Sequence, residues 1–138
     1  MSELAFTGNT FFSKEDILLY SVTCGYGTIF DWCRELTKRL GCVLITGYLE
    51  YYQEEYFNSM IVMSQDGTIL RNYRKCKLNL SYDKFFSPGL GYDCLDVNFS
   101  RLNRIIRVGL AIGSDILNFY PSDFEKMDFA EFNIYYKV

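Results

Sequence analysis

Apolar and polar positions along this chain follow two periods, and the switches between them mark its elements. Ser13 followed by KEDILLY sets a hydroxyl residue before two acids and an apolar run, the pattern of a short capped helix. The helical period is clearest over 27–41, GTIFDWCRELTKRLG, where Ile29, Cys33, Leu36 and Leu40 share a face and Arg34, Glu35, Lys38 and Arg39 face water. Thr28 is placed to cap this helix, Asp31 completes a Thr-x-x-acid box, and Gly41 stands where a left-handed residue ends it. CVLITGYLEY (42–51) is almost continuously apolar, as expected of a strand buried on both faces. FNSMIVMS (57–64) and TILRNYRK (68–75) flank Gln65-Asp66-Gly67, a turn signal, and predict a β-hairpin. Pro and Gly make SPGLGYD (87–93) a loop, with Cys94 at its end, and RIIRVGLAI (104–112) predicts a second strand buried on both faces. The aromatic, acidic stretch 117–138 has too weak a period to type. Helices and strands alternate without the pattern of a doubly wound parallel sheet, so the class is α/β or α+β.

A length of 138 residues accommodates one domain. The net charge of −3 and the lack of any basic run denser than RNYRKCK (71–77) argue against nucleic acid as a partner. No window approaches the ~20 apolar residues of a membrane helix, and the N-terminus has no basic, apolar leader, so neither a membrane nor a signal peptide is expected. Cysteines at 24, 33, 42, 76 and 94 form no CxxC pair, which suggests reduced thiols in a cytoplasmic or nuclear setting. They fit small buried hydrophobes better than nucleophiles, with Cys94, placed in a loop, the one to test for reactivity. The chain contains no histidine. Ser-His-Asp and Cys-His catalysis are therefore excluded, and neither a metal site nor a cofactor is expected. Any general base must be a carboxylate or an amine. RVGLAIGSDI (107–116) then poses a question, because an apolar strand that ends in Gly113-Ser114-Asp115 has the form of a site mouth with no reactive side chain at its tip.

Three separated stretches, SELAFTG (2–8), ILRNYRKCKL (69–78) and VGLAIGSDI (108–116), resemble in order the signature blocks of the nitrilase, or carbon–nitrogen hydrolase, superfamily. LGCVLITGYLE (40–50) and FNSMIVMSQDGTIL (57–70) look like the strand and hairpin that precede the lysine block. Within the superfamily the chain is most similar to the protein N-terminal asparagine/glutamine amidohydrolases, on the strength of AFTG, SKEDI, NYRK and FYPSDFEKMDFAEF (119–132). The resemblance implies a nitrilase-type α-β-β-α sandwich, present here as a partial domain over 1–138. It implies hydrolysis of a non-peptide C–N bond, the side-chain amide of an N-terminal Asn or Gln, feeding N-degron protein turnover. A glutamate takes the proton of a cysteine thiol, the thiolate attacks the amide carbon, a lysine stabilises the oxyanion, ammonia leaves, and water hydrolyses the thioester.

Carried over residue by residue, the resemblance puts Glu3 at the base position, Lys75 at the oxyanion position and Gly113 where the nucleophilic cysteine belongs. Ser114 is a possible substitute, although neighbouring side chains on an extended strand point to opposite faces. Taken alone, Glu3 fits a solvated residue at a chain end equally well, and Lys75 one of several surface cations. The family's second acid is not obvious in KLNLSYDKF (77–85), where Tyr82 or Asp83 occupies the neighbourhood. Ser2 replaces the proline that usually precedes the base, and the strand–helix–strand unit before it and the later strands and helices are expected to be missing. A catalytically inactive family member follows as the expectation, with peptide or protein N-termini as partners if active. The alternative is a non-catalytic binding or regulatory remnant, or a truncated gene product. If the assignment holds, Glu3, Lys75 and Gly113 converge on one cleft with Lys75 paired to Glu3. An open sheet edge and apolar face would then favour self-association.

Overall fold

The computed structural model describes residues 1–79 and 81–117, without the side chains of Arg101 and Leu117. The aromatic-acidic run 119–132 lies outside them. Element order is α1 (Lys14–Tyr20), α2 (Thr28–Leu40), β1 (Leu44–Tyr52), β2 (Glu55–Met63), β3 (Ile69–Arg74), β4 (Asp93–Phe99), a 3-10 turn (Ser100–Leu102), β5 (Arg104–Leu110) and the single turn α3 (Ser114–Leu117). β1, β2 and β3 form one antiparallel sheet in that order, and β4 pairs with β5 in a second.

The expected α1 starts at a capping box, with Ser13 accepting from Asp16 N–H and the Asp16 carboxylate accepting from Ser13 N–H. In α2 the expectation needs two corrections. Gly27 is the N-cap and makes no side-chain cap, so the Thr28–Asp31 box does not form. The buried stripe runs through Phe30, Cys33 and Thr37, flanked by Ile29 and Leu36, and Leu40 is exposed at the helix end. Gly41 closes the helix in the left-handed region, as its position predicts.

β1 is buried along most of its length, as its composition requires, and pairs with β2 without interruption from Leu44↔Met63 to Tyr52↔Glu55. The two-residue turn that joins them, Gln53-Glu54, has both residues at positive φ, the geometry of a type I′ hairpin without the Asn-Gly that signals one. The second hairpin turns where expected, with Gly67 at φ 86°. Two strand expectations change. Cys94 belongs to β4, which the loop reading missed, and β5 alternates rather than being buried on both faces. Val108 packs inward and Leu110 is buried, while Ile105 is 71% exposed.

Strand alternation gives the central sheet two faces. On one, Leu44, Tyr48, Ile61 and Met63 pack against Phe30 and Cys33 of α2. On the other, Val62 and Tyr73 meet Leu95, Val97 and Leu110 of the second sheet. The described residues thus stack helix on sheet on sheet. At one end Leu4, Ile17, Leu49 and Phe86 form a smaller cluster that ties α1 and the N-terminal segment to β1.

Candidate active site

Glu3 reaches the sheet because the N-terminal segment lies directly on β1. Gly47 N–H donates to Ser2 O at 3.3 Å and Ala5 N–H donates to Gly47 O at 3.2 Å. Only glycine allows this approach, since a Cβ at position 47 would stand 2.7 Å from Leu4 N and 2.8 Å from Ser2 O. Leu4, 1% exposed, anchors the segment in the cluster with Ile17 and Leu49. The segment that carries Glu3 is therefore tied to β1 on both sides of it, while Glu3 itself stays partly exposed.

Lys75 follows β3 directly. Its N–H donates to Asn58 O at 2.9 Å, and its carbonyl accepts from Gly89 N–H at 2.8 Å. Gly89 packs so closely that a Cβ there would stand 2.2 Å from Arg74 O. The Lys75 side chain is buried, with Nζ 2.9 Å from Glu3 Oε1 and 2.8 Å from Asp83 Oδ2. Burial alone would push its pKa down. The hydrogen bonds and charges of Asp83 and Glu3 outweigh that and hold it above the ordinary lysine value. Asp83, buried, is the residue of that neighbourhood which faces the Lys75 ammonium, in a stretch where the sequence showed no obvious second acid. Asn79 N–H donates to its Oδ2 at 2.8 Å, and its own N–H donates to Asn79 O at 2.7 Å.

Gly113 completes the cluster. It sits at φ 51°, in the left-handed region, at the turn between β5 and α3. A Cβ there would stand 2.7 Å from Glu3 Oε2 and 3.4 Å from Lys75 Nζ. The structure thus brings together Glu3, Lys75 and Gly113, with Asp83 behind the ammonium and Asn58 Nδ2 donating to Glu3 Oε1 at 2.6 Å. Ser114 does not join them through its hydroxyl, which donates to the Lys77 carbonyl.

Asp115 holds the Gly113 turn to the end of β3. Fully buried, it accepts from Ile112 N–H at 2.9 Å, Cys76 N–H at 3.0 Å, Lys77 N–H at 2.6 Å and the Tyr73 hydroxyl at 2.8 Å. Its carboxylate is stabilised by three main-chain donors and a phenol. Burial, with Cys76 and Asp115 beside it, pushes the Tyr73 hydroxyl well above its usual pKa.

All five cysteines are free thiols. Cys76, beside Lys75, is turned to the Tyr73 hydroxyl at 3.5 Å, and burial pushes its pKa up. Asn58 and Asp115 were legible only as residue types in their blocks. The signals that could have found them were a polar residue within a buried strand and an acid just after the glycine. Gly47 had the signal of a glycine inside an apolar strand.

The profile of the carbon-nitrogen hydrolase family matches residues 2–119. Protein N-terminal amidase of Saccharomyces cerevisiae is 29% identical over 107 residues, which cover 75% of this chain and 23% of that protein. The crystal structure of N-terminal amidase with a Gln-Gly peptide superimposes with a TM-score of 0.77 at 24% identity, over 84% of this chain and 30% of that one. The structure with an Asn-Glu peptide gives 0.74 at the same identity and coverage. The chain spans less than a third of the length of these relatives. The likeness to these structures gives the architecture as nitrilase-type.

Proposed function

Since the chain belongs to the carbon–nitrogen hydrolase family, we propose that the Glu3–Lys75–Gly113 cluster is an amidase site that keeps its proton acceptor and oxyanion donor but has no nucleophile. Glu3 occupies the base position and Lys75 the oxyanion position. Gly113 occupies the place of the attacking cysteine. One observation carries this reading: a side chain built on Gly113 would begin 2.7 Å from the Glu3 carboxylate and 3.4 Å from the Lys75 ammonium. Those are the two groups that deprotonate a thiol and stabilise the oxyanion it creates. With glycine there, no covalent bond to the amide carbon forms and ammonia does not leave.

Resemblance to N-terminal amidase makes the side-chain amide of an N-terminal Asn or Gln the ligand, in accord with the peptides in two of the similar structures. Such a peptide binds here without turnover. The setting is the cytoplasm or nucleus, supported by five unpaired thiols, within protein turnover directed by the N-terminal residue. Among the described residues no helix is long and apolar enough to cross a membrane. Exposed Ile105 and Leu102 beside the two-stranded sheet support self-association through that side, which sedimentation checks. A strictly monomeric chain would contradict it.

Ammonia release from a Gln-Gly peptide tests the proposal. The unsubstituted chain releases none above the peptide alone. Gly113→Cys restores little, because the left-handed backbone disfavours a side chain and the Glu3 carboxylate, held through Oε1, must shift Oε2 slightly to admit the Cβ. Turnover by the unsubstituted chain that disappears on Ser114→Ala would overturn the proposal and make Ser114 the nucleophile.

A further inference from the structure

Asn58 stands where the two charged partners of the site are joined. We infer that it is a positioning residue for Glu3, holding Oε1 so that Oε2 is the oxygen presented to position 113. This rests on the amidase-site reading above.

Asn58 lies on β2, 1% exposed, with Met60 and Val62 following it on the same face. Its main-chain carbonyl accepts from Lys75 N–H at 2.9 Å, and its Nδ2 donates to Glu3 Oε1 at 2.6 Å. A single residue therefore fixes both the strand end that carries the ammonium and the carboxylate that faces it. The amide carries a cost of its own. Its Oδ1 is buried without a hydrogen-bond partner among the described residues, a penalty that Val or Leu would not incur.

The consequence is an asymmetric carboxylate. Lys75 and Asn58 both donate to Oε1. Among the described residues no hydrogen bond falls on Oε2, and that is the oxygen 2.7 Å from where a Cβ on Gly113 would stand. Without the Asn58 amide, Lys75 alone would leave the carboxylate free to turn about its last bond and present either oxygen. An aspartate in this position would lack the N–H donor and would add a third carboxylate beside Glu3 and Asp83.

Peptide-resolved alkylation by iodoacetamide in the full chain tests the inference, with the thiol introduced by Gly113→Cys compared with Cys94 in the same sample. At pH 7 the introduced thiol should react about tenfold faster than Cys94, because the Lys75 ammonium beside position 113 stabilises the thiolate while the Glu3 carboxylate takes part in moving its proton. Adding Asn58→Ala should reduce that ratio about fivefold, and the isosteric Asn58→Asp at least as much. A purely structural role would lower the melting midpoint and leave the ratio unchanged, which would overturn the inference alone. An introduced thiol no faster than Cys94 would overturn the site reading and this inference with it. Should Gly113→Cys fail to fold, side-chain amide exchange of Asn58 in the unsubstituted chain decides. Exchange should be about tenfold faster in Glu3→Ala, and equal exchange would overturn the inference.

Discussion

Two carboxylate–cation clusters lie on opposite faces of the same three-stranded sheet, and they differ in what is left unbound. On the helix-facing side Glu50 is buried and takes a bidentate pair from Arg74, at 2.9 and 2.7 Å. Ser59 adds a hydrogen bond at 2.6 Å, and Asn72 adds two at 3.0 and 3.1 Å. The Arg74 guanidinium stacks over Phe57, and Tyr48 holds Asn72. One charge meets one charge, both carboxylate oxygens are engaged, and nothing remains for a ligand. On the other face two carboxylates share one ammonium, Glu3 Oε2 takes no hydrogen bond among the described residues, and the neighbouring position 113 has no side chain. Strand alternation puts Arg74 and Lys75, adjacent in sequence, into these opposite settings. Saturation marks the structural cluster, and an unfilled acceptor beside an ammonium marks the cluster proposed as the site.

The sharpest way to break this comparison is to remove each acid in turn. Glu50→Ala leaves a partly buried guanidinium unpaired and should cost about 3–5 kcal/mol in denaturant unfolding. The same cluster sets the acid limb of stability. Burial alone would raise the Glu50 pKa, but the hydrogen bonds from Arg74, Ser59 and Asn72 outweigh it and hold it below the ordinary carboxylate value. Its stabilisation is therefore present above the unfolded pKa and lost as pH falls through the folded one, so unsubstituted chain and Glu50→Gln should converge in acid. Lys75 acts at the other end. Its raised pKa makes its contribution complete below the unfolded value and lost as pH rises through the folded one, so Lys75→Met should flatten the alkaline limb.

Smaller effects belong to the site face. Gly113→Ala should cost about 1–2 kcal/mol, from a side chain forced into the left-handed region. Glu3→Ala should cost about 1 kcal/mol or less, because Glu3 is partly exposed and Lys75 keeps Asp83. In the double variant the Gly113→Ala penalty should shrink by roughly 0.5 kcal/mol, since the carboxylate end that crowds a Cβ at 113 is gone. A Glu3→Ala chain as unstable as Glu50→Ala would erase the distinction between the two clusters.

The helix and the hairpin were legible because each carries a local signal, whereas the Glu3, Lys75 and Gly113 blocks were legible only through their combined order, each being weak alone. Ser13 caps, Gly41 ends a helix, and Asp66-Gly67 turns a strand. What escaped depends on partners distant in sequence. β4 reads DCLDVNF, short and half polar, and is a strand because Leu95 and Val97 find the central sheet. Gln53-Glu54 turns at positive φ because nine uninterrupted pairs from Leu44↔Met63 to Tyr52↔Glu55 impose it, not because those residues favour it. The hydrophobic run of β5 suggested two buried faces, yet among the described residues only one meets an apolar layer. Choosing Asp83 over Tyr82 needed the loop that returns it to Lys75, and the part played by Asn58 needed a hydrogen bond spanning 55 positions.

The difference between the two clusters is tested most directly by nuclear magnetic resonance of the unsubstituted chain titrated with a Gln-Gly peptide. Resonances of the Asn58 side-chain amide, Lys75 and Gly113 should move with peptide concentration, while those of Ser59, Asn72 and Arg74 around Glu50 stay fixed and the peptide keeps its amide. Shifts centred on the Glu50 cluster, or no shift at either face, would contradict the assignment of the open cluster as the ligand site.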